Sequence, residues 1–193
     1  MQPVTLDEIV GLDRYEAMRE EFRRHIIDLK KQRRVSVGDY ITFIFENRDT
    51  VRFQIQEMLR AEHIADLDKI RAEVDCYNEL LPRPGELSST MLIEITEQEQ
   101  IRQRLLSLQG IEQAVYFEVN GQVVRGQFEA GRSQEDKLSA VQYVRFDLDA
   151  RARAAFIDGH GPVRLVVDHP NYRAATLLGE AVRRSLADDL ACE

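Results

Sequence analysis

The side chains best placed to do chemistry together lie between Phe45 and His63, in the run FENRDTVRFQIQEMLRAEH of a 193-residue chain. A strand end leads straight into a helix there. At about 100° per residue, Val51, Ile55, Met58 and Ala61 form an apolar stripe. Gln54 falls inside that stripe, between Ala61 and Met58, and Glu62 falls between Val51 and Ile55. A buried polar group without a partner costs roughly 1–3 kcal/mol. The spacing therefore predicts that the amide at 54 and the carboxylate at 62 point inward and have either a partner or a task. With Arg33, Glu57 and Arg60 they would form a ligand pocket, in which a guanidinium grips an anionic group and a carboxylate moves a proton or binds a metal. The plainer alternative pairs Gln54 with backbone, leaves Glu62 in water at a helix end, and pairs Glu57 with Arg60 one turn on.

A second row is Glu21, His25 and Asp28, at helical spacing beside another apolar stripe. Glu21 and His25 would supply half of a di-iron helix-bundle site. The E-x-x-H pairs that complete such sites are absent, and an exposed salt bridge is the simpler reading. The basic run Lys30–Arg34 could hold a phosphate or carboxylate, or only complement the negative end of its helix. His169, beside Asp168, Pro170, Asn171 and Tyr172, sits at a strand-to-helix junction where a proton carrier could act; Asn171 would equally serve as a helix cap. His160 reads as loop. There is no G-x-S-x-G, P-loop, G-x-G-x-x-G or H-E-x-x-H pattern, so hydrolase, nucleotide-binding and zincin readings lack support. No cofactor is evident.

Around these residues the pattern places a capping box at Thr5 and Glu8 and a long amphipathic helix from Asp13 to about Arg33. A β-rich stretch follows over 35–46, then helices over 50–62 and 65–81. Pro82, Pro84 and Gly85 mark a loop and a possible internal boundary near 82–90. Beyond it come a strand over 91–95, a helix over 97–108, and a hairpin turned by Asn120-Gly121. A polar loop over 130–138 leads to strands over 140–148 and 163–168, with a short helix near 150–157 between them. A final helix runs from about Asn171 to Leu190. The order implies one α+β domain, 1–193, with a helical N-terminal part packed on a mostly antiparallel sheet and closed by a C-terminal helix.

Composition narrows the function classes. The net charge of −8 argues against an obligate nucleic-acid partner. Residues 1–63 carry 11 basic and 12 acidic side chains, leaving 15 and 22 for the remainder, so an anion site belongs in the first third. Cys76 and Cys192 lack metal spacing and read better as free thiols than as a disulfide. No signal peptide and no membrane span are expected, and the cytoplasm is the expected location.

The runs TLDEIVGLDRYEAMR, RRVSVGDYITFIFENRDTVRFQIQEMLRAE, YNELLPRPGELSSTMLIEI and VDHPNYRA, in that order, resemble a bacterial family catalogued as domain of unknown function 3501. The resemblance spans essentially the whole chain and brings no established catalytic residue. Members are typically encoded beside rubrerythrin-like iron proteins and an iron–sulfur oxidoreductase subunit of the heterodisulfide-reductase type. The resemblance thus implies an accessory or interaction protein of a redox or peroxide-defence system, with one of those proteins as partner. The alternative is a small-molecule or metal-binding enzyme with its polar pocket on the 50–62 helix.

Overall fold

A computed structural model describes residues 1–129, 133–134, 137–159 and 161–191. After a short turn capped by Thr5 and Glu8, α1 runs Leu12–Lys31 and buries Tyr15, Phe22 and Ile26. Strands β1 (Arg34–Val37) and β2 (Ile41–Phe45) follow as a hairpin. Asn47 then caps α2 (Arg48–Ala61), accepting from the Thr50 N–H at 3.0 Å while Thr50 Oγ1 accepts from the Asn47 N–H. Asp66 caps α3 (Leu67–Asn78) by accepting from the Lys69 N–H at 3.1 Å. The segment 1–11 is pinned by two amide side chains, each gripping both backbone groups of one residue: Asn78 holds Val4, and Gln56 holds Val10.

The remaining elements are β3 (Glu86–Ile93), α4 (Ile101–Ser107), β4 (Val115–Val119), β5 (Gln122–Phe128), β6 (Ser133–Gln134), β7 (Lys137–Leu138), β8 (Val141–Asp147), α5 (Ala150–Ile157), β9 (Val163–His169), β10 (Tyr172–Leu177) and α6 (Glu180–Ala191). Eight strands form one sheet in the order β1-β2-β3-β8-β5-β4-β9-β10. Every pairing is antiparallel. The two outer strands meet. Tyr172 Oη donates to Val37 O at 2.5 Å and Thr176 Oγ1 donates to Ser36 O at 2.6 Å, so side chains fasten a seam that has no backbone ladder among the described residues.

This corrects the expected architecture. The sheet is a nearly closed barrel rather than an open sheet carrying a helical part. One misread segment accounts for most of the difference. Pro170 and Asn171 form a tight turn with His169 opposite Tyr172, and Tyr172–Leu177 returns as a strand; the last helix starts at Glu180. The strand expected over 91–95 in fact begins at Glu86, within the 82–90 segment, and pairs with both β2 and β8. In the 130–138 segment the described residues form the short β6–β7 hairpin; residues 130–132 and 135–136, with His160 and Cys192, lie outside the described residues.

Alternation fills the barrel. Ile41, Phe43 and Phe45 of β2, Leu87 and Met91 of β3, Phe117 of β4 and Phe146 of β8 all point inward and are essentially inaccessible. Phe117 meets Phe146 with centroids 4.7 Å apart and Phe156 of α5 at 6.0 Å. Leu186 and Leu190 of α6 enter the same core. Val51, Ile55 and Leu59 of α2 build a second core with Val74 of α3, and Tyr143, on the outer face of β8, packs against it. The helical N-terminal part therefore lies on the outside of the barrel wall. No helix among the described residues is long and apolar enough to cross a membrane.

Candidate functional site

Glu57 faces α1. Its carboxylate accepts from Arg19 Nε and Nη2, both at 2.7 Å, and from Tyr15 Oη at 2.8 Å. The Arg19 guanidinium holds the Glu57 carboxyl below its usual range, with the Tyr15 hydroxyl assisting. Burial, then the same carboxylate, pushes the Tyr15 hydroxyl up. Arg60 donates to Glu16 at 2.5 Å. These contacts staple α1 to α2.

Arg33 is 1% exposed and reaches the other way. It donates to Phe45 O at 2.8 Å, Glu46 O at 3.1 Å and Ser185 Oγ at 3.0 Å, and it forms an ion pair with Asp189. It thereby clasps α6 to the β2–α2 junction. Burial pushes the Asp189 carboxyl up and the Arg33 guanidinium partly offsets this. Arg33 and Asp189 border a cavity of about 370 Å³ with Ser185 and Asp188.

Gln54 is half-buried and donates to Glu46 Oε2 at 2.9 Å. Glu46 is 2% exposed and also accepts from Thr50 Oγ1 at 2.5 Å and Thr90 Oγ1 at 2.6 Å. The fully buried amide of α2 is Gln56, at 2% exposure, two residues further on. Glu62 stands exposed at the C-cap of α2. Of the five side chains expected to converge, Arg33 and Gln54 both bond Glu46, through its carbonyl and its carboxylate, Glu57 and Arg60 both bond α1, and Glu62 stands apart at the helix end. Glu21 is exposed, and His25 stands 3.9 Å from Asp49 at the surface. Among the described residues no group of three or more His, Cys, Asp or Glu side chains is placed to hold a metal ion. His169 is buried, accepting from the Asn171 N–H at Nδ1, 3.2 Å, with Nε2 2.9 Å from Gln109 O. The Asn171 bond leaves Nε2 as the donor, so the ring ties the β9–β10 turn to the end of α4.

The larger concavity lies elsewhere. A cleft of about 870 Å³ separates α3 and the 78–84 segment from the outer face of β3 and β8. Its size falls in the range of roughly 300–1,000 Å³ typical of ligand sites. Arg145 builds one wall: it donates to Leu81 O at 3.2 Å, Glu86 Oε2 at 2.9 Å and Glu79 O, fixing the segment to the barrel. Glu73 and Tyr77, one turn apart on α3, line the opposite wall, with Tyr143 and Ser88 from the sheet. Burial raises the Tyr77 hydroxyl, helped by the nearby Tyr143, Glu73, Cys76 and Glu62. Ser88 is 4% exposed, and its hydroxyl has no hydrogen-bond partner among the described residues. The one-turn spacing of Glu73 and Tyr77 was the sequence signal for this wall. Ser88 and Tyr143 had none, because only strand pairing brings them opposite α3.

The comparisons agree with this architecture. A crystal structure described as a novel protein of unknown function from Burkholderia pseudomallei K96243 is 34% identical, with 98% of this chain and 100% of that one covered and a TM-score of 0.91. No curated protein matches. The model of the family described as Protein of unknown function (DUF3501) matches residues 3–190. The barrel, the FENRDT junction clasped by Arg33 and the α3 cleft are thus features of a chain that belongs to this DUF3501 family.

Proposed function

We propose that the protein is a binding module that docks onto a partner protein through the α3 cleft. The observation that carries this reading is the division of polar groups. Glu57, Arg33, Gln54 and Arg60 spend their hydrogen bonds on holding the fold together. In the cleft, the Ser88 hydroxyl and the Glu73 carboxylate are left without such partners among the described residues. The partner class proposed is the one the sequence resemblance implies: a rubrerythrin-like or iron–sulfur oxidoreductase protein of a redox or peroxide-defence system.

The test is size-exclusion chromatography of the purified chain with each candidate partner at micromolar concentration. A co-eluting complex that Tyr143→Ala or Ser88→Arg disrupts supports the reading. Separate elution, or a complex indifferent to both changes, overturns it.

A second reading, a small-molecule or metal-binding enzyme, draws on Glu46, a buried carboxylate held by three uncharged side chains next to the clasp of Arg33. A rise in melting temperature with one of a panel of metals or anionic metabolites, lost in Glu46→Gln, would favour it.

A further inference from the structure

The segment 1–10 is held in the way a bound peptide is held. Among the described residues none of its backbone groups bonds the backbone of the rest of the chain. Side chains hold it instead. Asn78, at the end of α3, accepts from the Val4 N–H at 2.8 Å and donates to Val4 O at 2.9 Å. Gln56, buried on α2, accepts from the Val10 N–H at 2.8 Å and donates to Val10 O at 3.2 Å. Thr5 and Ile9, next to the gripped residues, are extended. An amide that takes both backbone groups of one residue reads an extended chain whatever its side chain. Between the two grips Arg48 donates to Glu8 through Nη2, while its buried Nε–H has no hydrogen-bond partner among the described residues. The same Glu8 oxygen also accepts from the Thr5 N–H and hydroxyl. A carboxylate free of that turn would take Nε and Nη2 together, the bidentate arrangement that suits a guanidinium. The segment is also lightly anchored. Val4 alone of residues 1–10 is buried, and Met1, Leu6 and Ile9 rest half-covered on the core of Val51, Ile55, Leu59 and Val74. Gly11, exposed and with nothing within 4 Å of the place of a Cβ, links the segment to α1. Met1 and Pro3 line the α3 cleft beside Asn78, so departure of the segment would join its groove to the cleft.

We infer that the groove on α2 and α3 under segment 1–10 is a peptide-binding site, and that the segment is its built-in occupant, displaced by an extended segment of the partner. The partner's segment follows the spacing of Val4, Glu8 and Val10: a small branched apolar residue, an acid four positions on, and a second apolar residue two positions after that. Asn78 and Gln56 hold its backbone and Arg48 takes its acid. This rests on the reading of the protein as a docking module, and adds the rule that the site must open before the partner enters.

The test uses the isotope-labelled full chain and a free peptide with the sequence of residues 3–12. In the parent, the Val4 and Val10 N–H groups should exchange at least about a hundredfold faster than the amides of β2, through local opening. The tethered segment competes at a millimolar effective concentration, so the peptide should bind the parent only above about 1 mM. Val4→Ser weakens the segment without touching the groove and should tighten peptide binding at least about tenfold. Binding is read as segment amides moving to disordered positions while the side-chain amide signals of Asn78 and Gln56 keep their bonded shifts. In the Val4→Ser chain, Asn78→Ala and Arg48→Lys should each lose about tenfold, as should a peptide with glutamine in place of its glutamate. Peptide binding that is absent from the Val4→Ser chain, equal in it and the parent, or indifferent to both groove changes overturns the inference. So does protection of Val4 and Val10 equal to that of β2, a measurement that needs no variant. A concentration-dependent dimer with exchanged segments overturns it in favour of a second copy as occupant. A partner complex that leaves the Val4 and Val10 amides unshifted removes the displaced segment and keeps docking on the cleft. Peptide binding as expected without any partner complex keeps the groove and removes the partner reading.

Discussion

At the residue scale, Arg33 ties three parts of the fold together: the end of β2, the start of α2 and α6. Its guanidinium satisfies two consecutive carbonyls, Phe45 O and Glu46 O, where the chain leaves the barrel for α2, and it neutralises Asp189 on a helix 156 residues away. Removing one member of a buried pair leaves the other charged and unsolvated, typically at about 3–5 kcal/mol. Arg33→Ala should therefore lower the urea midpoint sharply, and Arg33→Lys should recover only part of the loss, since an ammonium cannot fork across both carbonyls and Asp189. Denaturant titration of the two variants checks this; equal midpoints for Arg33→Lys and the parent would refute the clasp. Glu57 gives a pH prediction. Its carboxyl is held low by Arg19 when folded, so the unfolded chain binds a proton there first. The stabilisation is fully present above the ordinary value near 4.5 and is lost as pH falls through the lower folded value. Glu57→Gln should cost on the order of 1 kcal/mol at neutral pH and flatten the acid limb of the stability curve. An acid limb as steep as the parent's would mean that other carboxylates set it.

At the element scale the barrel seam is the most exposed design feature. Tyr172 reaches from β10 to Val37 O, its ring packs on Tyr40 at 4.6 Å, and Gly38, with φ +71°, sits beneath it. A Cβ at position 38 would collide with Tyr172 Oη and stand 2.9 Å from the Ala174 side chain, in a conformation that L-residues rarely adopt. Gly38→Ala should cost about 1–3 kcal/mol and raise amide exchange in β1 and β10 before other strands. Tyr172→Phe, which loses the bond to Val37 O and a longer one from the Tyr40 N–H and keeps the ring, should cost about 1–2 kcal/mol. Uniform exchange across all eight strands in Gly38→Ala would show that the seam is not the weak edge. The seam also marks where sequence reading stopped. α1, α2, the Asn-Gly hairpin and β9 follow from local periodicity and caps, which depend on neighbours in the chain. β10 does not: its YRAATL run has alanines that suit a helix, and its strand state comes from pairing with β9 and abutting β1. The same logic applies to the sites. Gln54 lies where its helical phase puts a half-buried group. Its partner Glu46, the pairing of Arg33 with Asp189, and the meeting of Ser88 with α3 are long-range facts that no local pattern encodes.

At the scale of the whole molecule, two cores share one frame. The barrel core runs through Phe45, Phe117 and Phe146, and the helical core through Val51, Ile55 and Leu59. They are joined by the two-residue linker Glu46-Asn47 between β2 and α2. Glu46 is hydrogen-bonded to both sides, to Thr50 and Gln54 of α2 and to Thr90 of β3. Tyr143 belongs to the barrel wall and packs in the helical core. α6 closes the frame from the other end, with Leu186 and Leu190 in the barrel and Asp189 on Arg33. So dense a junction leaves the helices no surface on which to unfold alone: loss of the barrel would expose the undersides of α2 and α3. The chain should therefore unfold as a single cooperative unit. It has six tyrosines and no tryptophan, and Tyr15 and Tyr77 report on the helices while Tyr172 and Tyr116 report on the barrel. Tyrosine emission and far-ultraviolet dichroism should give one coincident urea transition. Leu186→Ala should shift both together by about 2–5 kcal/mol. Because Leu186 and Arg33 both hold α6, Leu186→Ala combined with Arg33→Ala should cost less than the two separate losses added. Two resolved transitions, or strict additivity, would mean that the helical part is a separate unit and that Glu46 joins two domains rather than stitching one.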